Sequence, residues 1–333
     1  MPRLLIVTIA CLSLACIVYA LTGNFHSAGT NTNDPPSPAL TVRLLDVGQG
    51  DATYIHNGDS RVIIDGGPDK ARFETLLDSL GLNNTTIDVV ILTHQHYDHY
   101  NGLLALFDSD RHIKIRYMFE DKDPSSAATI RHLRDSILAR VTRDSLIYRN
   151  TDDPCSDGRP VCVITMRGGA TLDIMRPLPG PQPPNDRSVP IKLVGPDSAS
   201  FTMWLAGDAE HDAITYFEQA GYPTTPGMHV NVLKADHHGS CNGVSARYLQ
   251  LLTPELAIAS VGAHNEYGHM HDQAKATYAA AGVPWYRTDQ NGTVTIRAPG
   301  TPGSGYTVTV DRGTKNMNGP SDRRSRQADC SGM

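Results

Sequence analysis

The sequence predicts an α/β fold of two mixed sheets packed together with helices outside. Strand-like and helix-like segments alternate along the chain, and the second half repeats the style of the first. Apolar runs such as "TIDVVILTH" (86–94) are continuous rather than alternating, as strands buried on both faces must be. The 333 residues, 40% hydrophobic and 19% charged, are enough for a large core.

"TVRLLDV" (41–47) has a strand pattern. "DATYIHNGDSRVIIDGG" (51–67) reads as two strands joined by a turn at Asn57, Gly58 and Asp59. "ARFETLLDSLGL" (71–82) has helical spacing and stops at Gly81. A buried strand then runs to His94, and a helix starting near Asp98 carries Leu103, Leu104 and Phe107. "IKIRYMFE" (113–120) is a strand, and "SSAATIRHLRDSILARV" (125–141) a helix capped by Ser125 or Ser126. Strands follow at Val161–Met166, Thr171–Met175, Val189–Val194 and Phe201–Leu205, with the Pro-rich loop "RPLPGPQPPNDR" (176–187) among them. "AEHDAITYFEQAG" (209–221) is a helix, and "HVNVLKADHHGS" (229–240) a strand entering a polar turn. Helices at Ser245–Leu252 and Gln273–Ala281 then alternate with strands at Leu256–Val261, Val283–Arg287, Thr293–Arg297 and Tyr306–Val310.

No linker divides residues 40–311, which read as one domain. Before them, Arg3 and the uncharged Leu4–Leu21 run suit a signal peptide ending at Ala20, with a retained anchor as the alternative and lipidation at Cys16, which follows Leu-Ala but has Ser13 in its cleavage box, as the third; residues 21–39 suit a disordered tether. All three readings place the domain beyond the cytoplasmic membrane. Residues 312–333 read as a polar, disordered tail. In an oxidising compartment Cys155 and Cys162 are expected to form a local disulfide; Cys241 and Cys330 have only each other. The net charge of -6 offers no global field to recruit nucleic acid, so such a substrate needs a basic patch or a metal.

The chemistry gathers where strands end. "LTHQHYDH" (92–99) puts His94, His96, Asp98 and His99 after a buried strand. Imidazole nitrogen and carboxylate oxygen suit zinc and other borderline divalent ions. His94 and His96, two apart on extended backbone, point the same way, while Asp98 and His99 turn onward and can reach a second ion. "WLAGDAE" (204–210) supplies Asp208 after another apolar strand, as a bridging carboxylate. "VLKADHHGS" (232–240) supplies His237 and His238: one ligand, with His237 preferred because it comes first, and one group that either supports a ligand from behind or faces the substrate.

These phrases resemble a known family. "THQHYDH" resembles the His-x-His-x-Asp-His signature of the metallo-β-lactamase fold superfamily. "LLDVGQGDATYI", "IIDGG", "LAGDAE", "LKADHHGS", "SVGAHNEYGH" and "YRTDQNGTVTI" resemble the hydrolase domains of ComEC-type competence DNA-uptake proteins. The likeness runs from about Leu44 to Ile296, with no channel-forming spans, so the chain reads as a stand-alone exported relative. It implies an αββα sandwich with two divalent metal ions, ligated by His94, His96, Asp98, His99, Asp208 and His237, and Asp65 holding a ligand histidine. One departure stands out: a further metal-binding His is missing before Asp208, where "NDRSV" lies; Asn185, Asp186, Ser188 or water is left to complete that shell. More oxygen and less nitrogen leans towards manganese or weakly held zinc. His269, in the "YGH" phrase, is a candidate for lining the site.

The expected activity is metal-dependent hydrolysis of phosphodiesters by a hydroxide shared between the ions, with Asp98, His237 and His238 as catalytic groups. Extracellular DNA or an envelope phosphodiester is the expected substrate, and no stable protein partner is expected. Hydrolysis of carboxylic esters, lactones or β-lactams is the alternative, and a binding protein with a vestigial site the second.

Overall fold

A computed structural model describes residues 37–121, 127–197, 201–222, 229–301 and 303–315. Its elements are β1 (Ser37–Leu44), β2 (Thr53–Asn57), β3 (Ser60–Ile64), α1 (Lys70–Ser79), β4 (Thr86–Ile91), α2 (Tyr97–Tyr100), β5 (Lys114–Glu120), α3 (Ala128–Asp144), β6 (Ile147–Asn150), β7 (Val161–Thr165), β8 (Thr171–Met175), β9 (Ile191–Val194), β10 (Thr202–Leu205), α4 (His211–Ala220), β11 (Val232–Lys234), α5 (Ala246–Leu252), β12 (Leu256–Ala259), α6 (Asp272–Ala280), β13 (Trp285–Arg287), α7 (Thr288–Asn291), β14 (Val294–Gly300) and β15 (Thr307–Val310). The first sheet has the order β15-β14-β1-β2-β3-β4-β5-β6 and the second β13-β12-β11-β10-β9-β8-β7.

In each sheet one half is parallel and the other antiparallel. β3 to β6 run parallel, as do β10 to β13. Leu40, Val42 and Leu44 of β1 are buried with Leu172, Ile174, Ile191 and Leu193 of the second sheet, while Thr41 and Arg43 are partly exposed. That period-two pattern builds the core between the sheets. A second core packs Trp204 and Leu233 against Phe217 of α4, Tyr248 of α5 and Tyr278 of α6. A third packs Ile63 and Val90 against Phe73 of α1 and Leu133 and Ile137 of α3. Each such side chain contributes on the order of 1.5–3 kcal/mol by leaving water. The result is the helix–sheet–sheet–helix order expected from the sequence.

Local chemistry sets the element ends. Asp69 accepts from the Arg72 amide and caps α1, and Gly221, at φ 72, closes α4. Asn57 pairs with Ser60, so the hairpin turn is the two-residue Gly58-Asp59. Its side chain also accepts from the Ala170 amide at 3.0 Å, tying one sheet to the other. At Gly102 the backbones of two site-bearing segments nearly touch: a Cβ there would lie 1.9 Å from the Gly66 carbonyl oxygen. Gly102→Ala is expected to cost about 3 kcal/mol or more by forcing these segments apart. A urea midpoint unchanged from wild type would refute this.

Three expectations are corrected or lie elsewhere. Cys155 and Cys162 are free thiols, not a disulfide: the Cys155 sulfur donates to the Val161 carbonyl at 3.4 Å. Burial, and then the neighbouring Cys155, pushes the Cys162 thiol up to about 12. The N-cap of α3 is Ala127, which offers no side-chain acceptor; Ser125 and Ser126 lie outside the described residues. So do Cys330, the leader, nearly all of the tether and most of the tail. No helix among the described residues is long and apolar enough to cross a membrane. β6, a short edge strand, had no sequence reading of its own.

Candidate metal centre

The carboxyl ends of the parallel strands converge at one edge of the sandwich. β3 delivers Asp65, β4 delivers residues 94–99, β10 delivers Asp208, and β11 delivers His237 and His238. Placing a site there follows from parallel pairing, which ends neighbouring strands side by side.

Asp208 is the hub. It is 2% exposed, and its backbone amide donates to the Ser188 hydroxyl at 3.0 Å. Its Oδ2 lies 3.1 Å from Nε2 of His238, 3.2 Å from Nε2 of His99, and 3.9 Å from Nε2 of both His94 and His237. Asp98 joins from the other side, with Oδ2 at 3.2 Å from Nε2 of His238. Asp98, His99, Asp208 and His238 each offer one ligand atom, all within 4.8 Å of one another. Nε2 of His99, Nε2 of His238 and Oδ1 of Asp208 are buried and make no hydrogen bond. Buried polar atoms left in this state are costly unless something else binds them.

The electrostatics point the same way. Burial alone would push the His99 imidazole down, but the Asp208 and Asp65 carboxylates outweigh it and hold it well above its ordinary value. His238 is raised in the same way by Asp208 and Asp51. Asp208 is held well below the carboxylate range: burial opposes this, and the charges of His238 and His99 overcome it. The cluster therefore collects protons where cations are wanted. His94, with burial and the His99 charge both acting on it, is pushed well down. His96 is lowered by burial first. Both are suited to offering a neutral ring nitrogen. The donor set and the unbonded atoms fit a divalent cation.

The surrounding shell fixes these groups. Asp65 accepts from Nδ1 of His99 at 2.8 Å, from the Thr93 amide at 2.8 Å and from the Thr93 hydroxyl at 2.7 Å. That assigns the proton of His99 to Nδ1 and leaves Nε2 facing the cluster. Nδ1 of His238 donates to the Ser260 carbonyl at 2.8 Å, with the same effect. Gly50, at φ 148, lets the chain pass so close that a Cβ would lie 2.3 Å from the Asp98 carbonyl. That approach puts Asp51 beneath the cluster.

The structure differs from the sequence reading over the histidine pair. His238 lies inside the four-residue cluster, and His237 stands at its rim. The physical reason is the backbone: His237 and His238 are both left-handed, at φ 46 and 55. Position after a strand does not decide direction once the chain curls that way. His237 is a fifth exposed, and its Nδ1 lies 2.9 Å from Oε1 of Glu210. Ser188 holds the Asp208 backbone, and Asp186 accepts from the Ala213 amide at the start of α4. Of the three residues offered for the missing imidazole, Asn185 is the one that lines the cleft, with Nδ2 bonded to Glu210 and Oδ1 buried without a partner.

A cleft of about 660 Å³ opens over the cluster. Tyr97, Tyr267, Gln49 and His269 form much of its wall. His269 is buried, bonded weakly to Gln49 at 3.5 Å, and pushed down to about 2 by burial and then by the charges of His238 and His237. His271 instead accepts from the Cys241 amide at 3.1 Å and secures that loop. Sequence reasoning missed Asp51, Lys234 and Glu210. A lysine inside the apolar "VLKA" strand was the available signal.

Two sheets flanked by helices, with imidazoles and carboxylates gathered at one edge, make this chain similar to the metallo-β-lactamase superfamily. Residues 45–143 match the family model of the Metallo-beta-lactamase superfamily. The chain is 24% identical over 282 residues to ComE operon protein 3 of Bacillus subtilis, covering 77% of this chain and 33% of that protein. It is 24% identical over 263 residues to the uncharacterized protein YcaI of Escherichia coli, covering 76% and 29%. The chain thus spans about a third of the length of these curated relatives. Among solved structures, the metallo-beta-lactamase fold protein YhfI of Bacillus subtilis superposes with a TM-score of 0.44 at 13% identity, covering 75% of this chain and 96% of that one.

Proposed function

We propose that this chain is an exported phosphodiesterase acting on small or polymeric phosphodiesters. The observation that carries it is the convergence of imidazoles and carboxylates on Oδ2 of Asp208, with buried ring nitrogens left unbonded. Asp98, His99 and His238 would hold one divalent ion, His94 and His96 a second, and Asp208 both. Zinc or manganese held there would act as a Lewis acid on the phosphate oxygens and ease proton loss from water. The preference for phosphodiesters over carboxylic esters rests on the likeness of its motif phrases to the hydrolase domains of competence proteins. The export reading rests on the Leu4–Leu21 run.

The chain's own groups then have distinct tasks. Asp65 and Ser260 hold the His99 and His238 rings in one tautomer. His237, at the rim and steadied by Glu210, is placed to give a proton from Nε2 to the leaving oxygen. Tyr97 and Tyr267, each about half exposed at the mouth, offer apolar faces to the substituent beyond the phosphate.

The test is purified protein, with zinc or manganese content measured, against bis-p-nitrophenyl phosphate, single-stranded DNA, nitrocefin and a lactone panel. Turnover of the diesters is expected. Metal-loaded protein that cleaves only the carbonyl substrates, or none, would overturn the proposal.

Metal uptake must also displace protons from His99 and His238, which sit above the ordinary imidazole value of about 6.5. Affinity is expected to climb with pH and to keep climbing above that value. Calorimetry in buffers of different ionisation enthalpy counts the released protons, and a pH-independent affinity would contradict the assignment.

A further inference from the structure

Lys234 is 2% exposed, on a strand whose neighbours Leu233 and Ala235 are fully buried. A cation so deep is tolerated only if it is fully engaged. Its ammonium donates to the Gly207 carbonyl at 2.7 Å, pairs closely with Asp51, and lies 3.7 Å from Oδ1 of Asp208. The two oxygens of Asp208 thus face different worlds. Oδ2 meets the imidazoles of His99 and His238; Oδ1 makes no hydrogen bond and has the Lys234 ammonium as its nearby cation.

We infer that Lys234 is a positioning residue: a built-in monovalent cation that pins the Asp208 carboxylate so that Oδ2 stays aimed at the metal-binding imidazoles. The inference rests on the reading of that cluster as a metal site. Three features support it. Gly207 immediately precedes Asp208, so the lysine bonds the peptide that leads into the hub and sets its charge 3.7 Å from the hub's carboxylate. β10 and β11 are adjacent and parallel, with Trp204 paired to Leu233, so the lysine rises beside the hub. Asp51, its other partner, lies 3.4 Å from Nδ1 of His238, so the same ammonium anchors a group behind a second cluster residue.

The inference has a test of sign. A lysine that acted only through its charge would repel divalent ions, and its removal would tighten their binding. A positioning lysine predicts the reverse. Lys234→Gln keeps a donor for the Gly207 carbonyl but removes the charge. We expect its zinc and manganese affinity, measured by chelator competition, to fall by about tenfold or more. Affinity equal to or tighter than wild type would overturn the inference. Urea unfolding of the metal-free variant checks that it is folded. If it is not, D51N/K234M removes both buried partners and leaves no lone charge. The same loss is expected there, and unchanged or tighter binding is equally fatal. A wild-type protein that binds no divalent ion defeats the metal-site reading itself; a wild type that binds beside a Lys234→Gln variant that binds as well defeats only the role of Lys234.

Discussion

Asp208→Asn is expected to lower hydrolysis by at least about a thousandfold and to strip the protein of metal. Among the described residues no other side chain reaches as many cluster members: Oδ2 stands within 3.9 Å of His94, His99, His237 and His238. The asparagine keeps the size and the Ser188 hydrogen bond to the backbone amide, so the fold has little reason to fail. What it loses is the charge. Without it His99 and His238 lose the first attraction that offsets their burial, and their ring nitrogens lose the shared anion that organises them. Elemental analysis and diester turnover, measured on the same preparation, check both parts. A variant that keeps metal and rate would show that the hub lies elsewhere.

Asp65→Ala is expected to cost about 3 kcal/mol of stability, the largest effect on folding among the site residues. Asp65 is 1% exposed and satisfies Nδ1 of His99 together with the amide and hydroxyl of Thr93. Alanine leaves all of these buried donors without that acceptor. Burial raises the Asp65 carboxyl even against the His99 charge, so the carboxylate is itself held at a cost. It persists because its removal strands more than it frees. Metal affinity should fall as well, by about 10–100-fold, because the His99 ring is no longer fixed in tautomer or orientation. Urea denaturation of the metal-free protein gives the first number and chelator competition the second; a midpoint within error of wild type would contradict the argument.

Much of the architecture was legible because it rests on local patterning. Gly81 and Gly221 end helices where the spacing stops. The continuous apolar runs are indeed strands covered on both faces, and the residues with ligand chemistry follow their carboxyl ends. The site was less legible, and for physical reasons. Sequence order ranked His237 before His238, but consecutive left-handed residues reverse which ring turns inward. Ser188 and Asp186 share a polar phrase with Asn185, yet their hydrogen bonds go to backbone amides and only Asn185 reaches the cleft wall. Such outcomes depend on contacts between residues far apart in the chain, as between Ser188 and Asp208 or Asp51 and Lys234. Periodicity carries no record of them. Cys155 and Cys162 show the reverse error: closeness in sequence suggested a bond that the chain does not make.

Asp208 belongs to the second sheet, and His94, Asp98 and His99 follow a strand of the first. Neither half carries the whole donor set, so capture of an ion at full strength is a late event in the life of the molecule. It must wait until the seam between the sheets has closed, and once made it acts as a rivet across that seam. The ions available where the sandwich finally closes would then decide which metal the protein takes up.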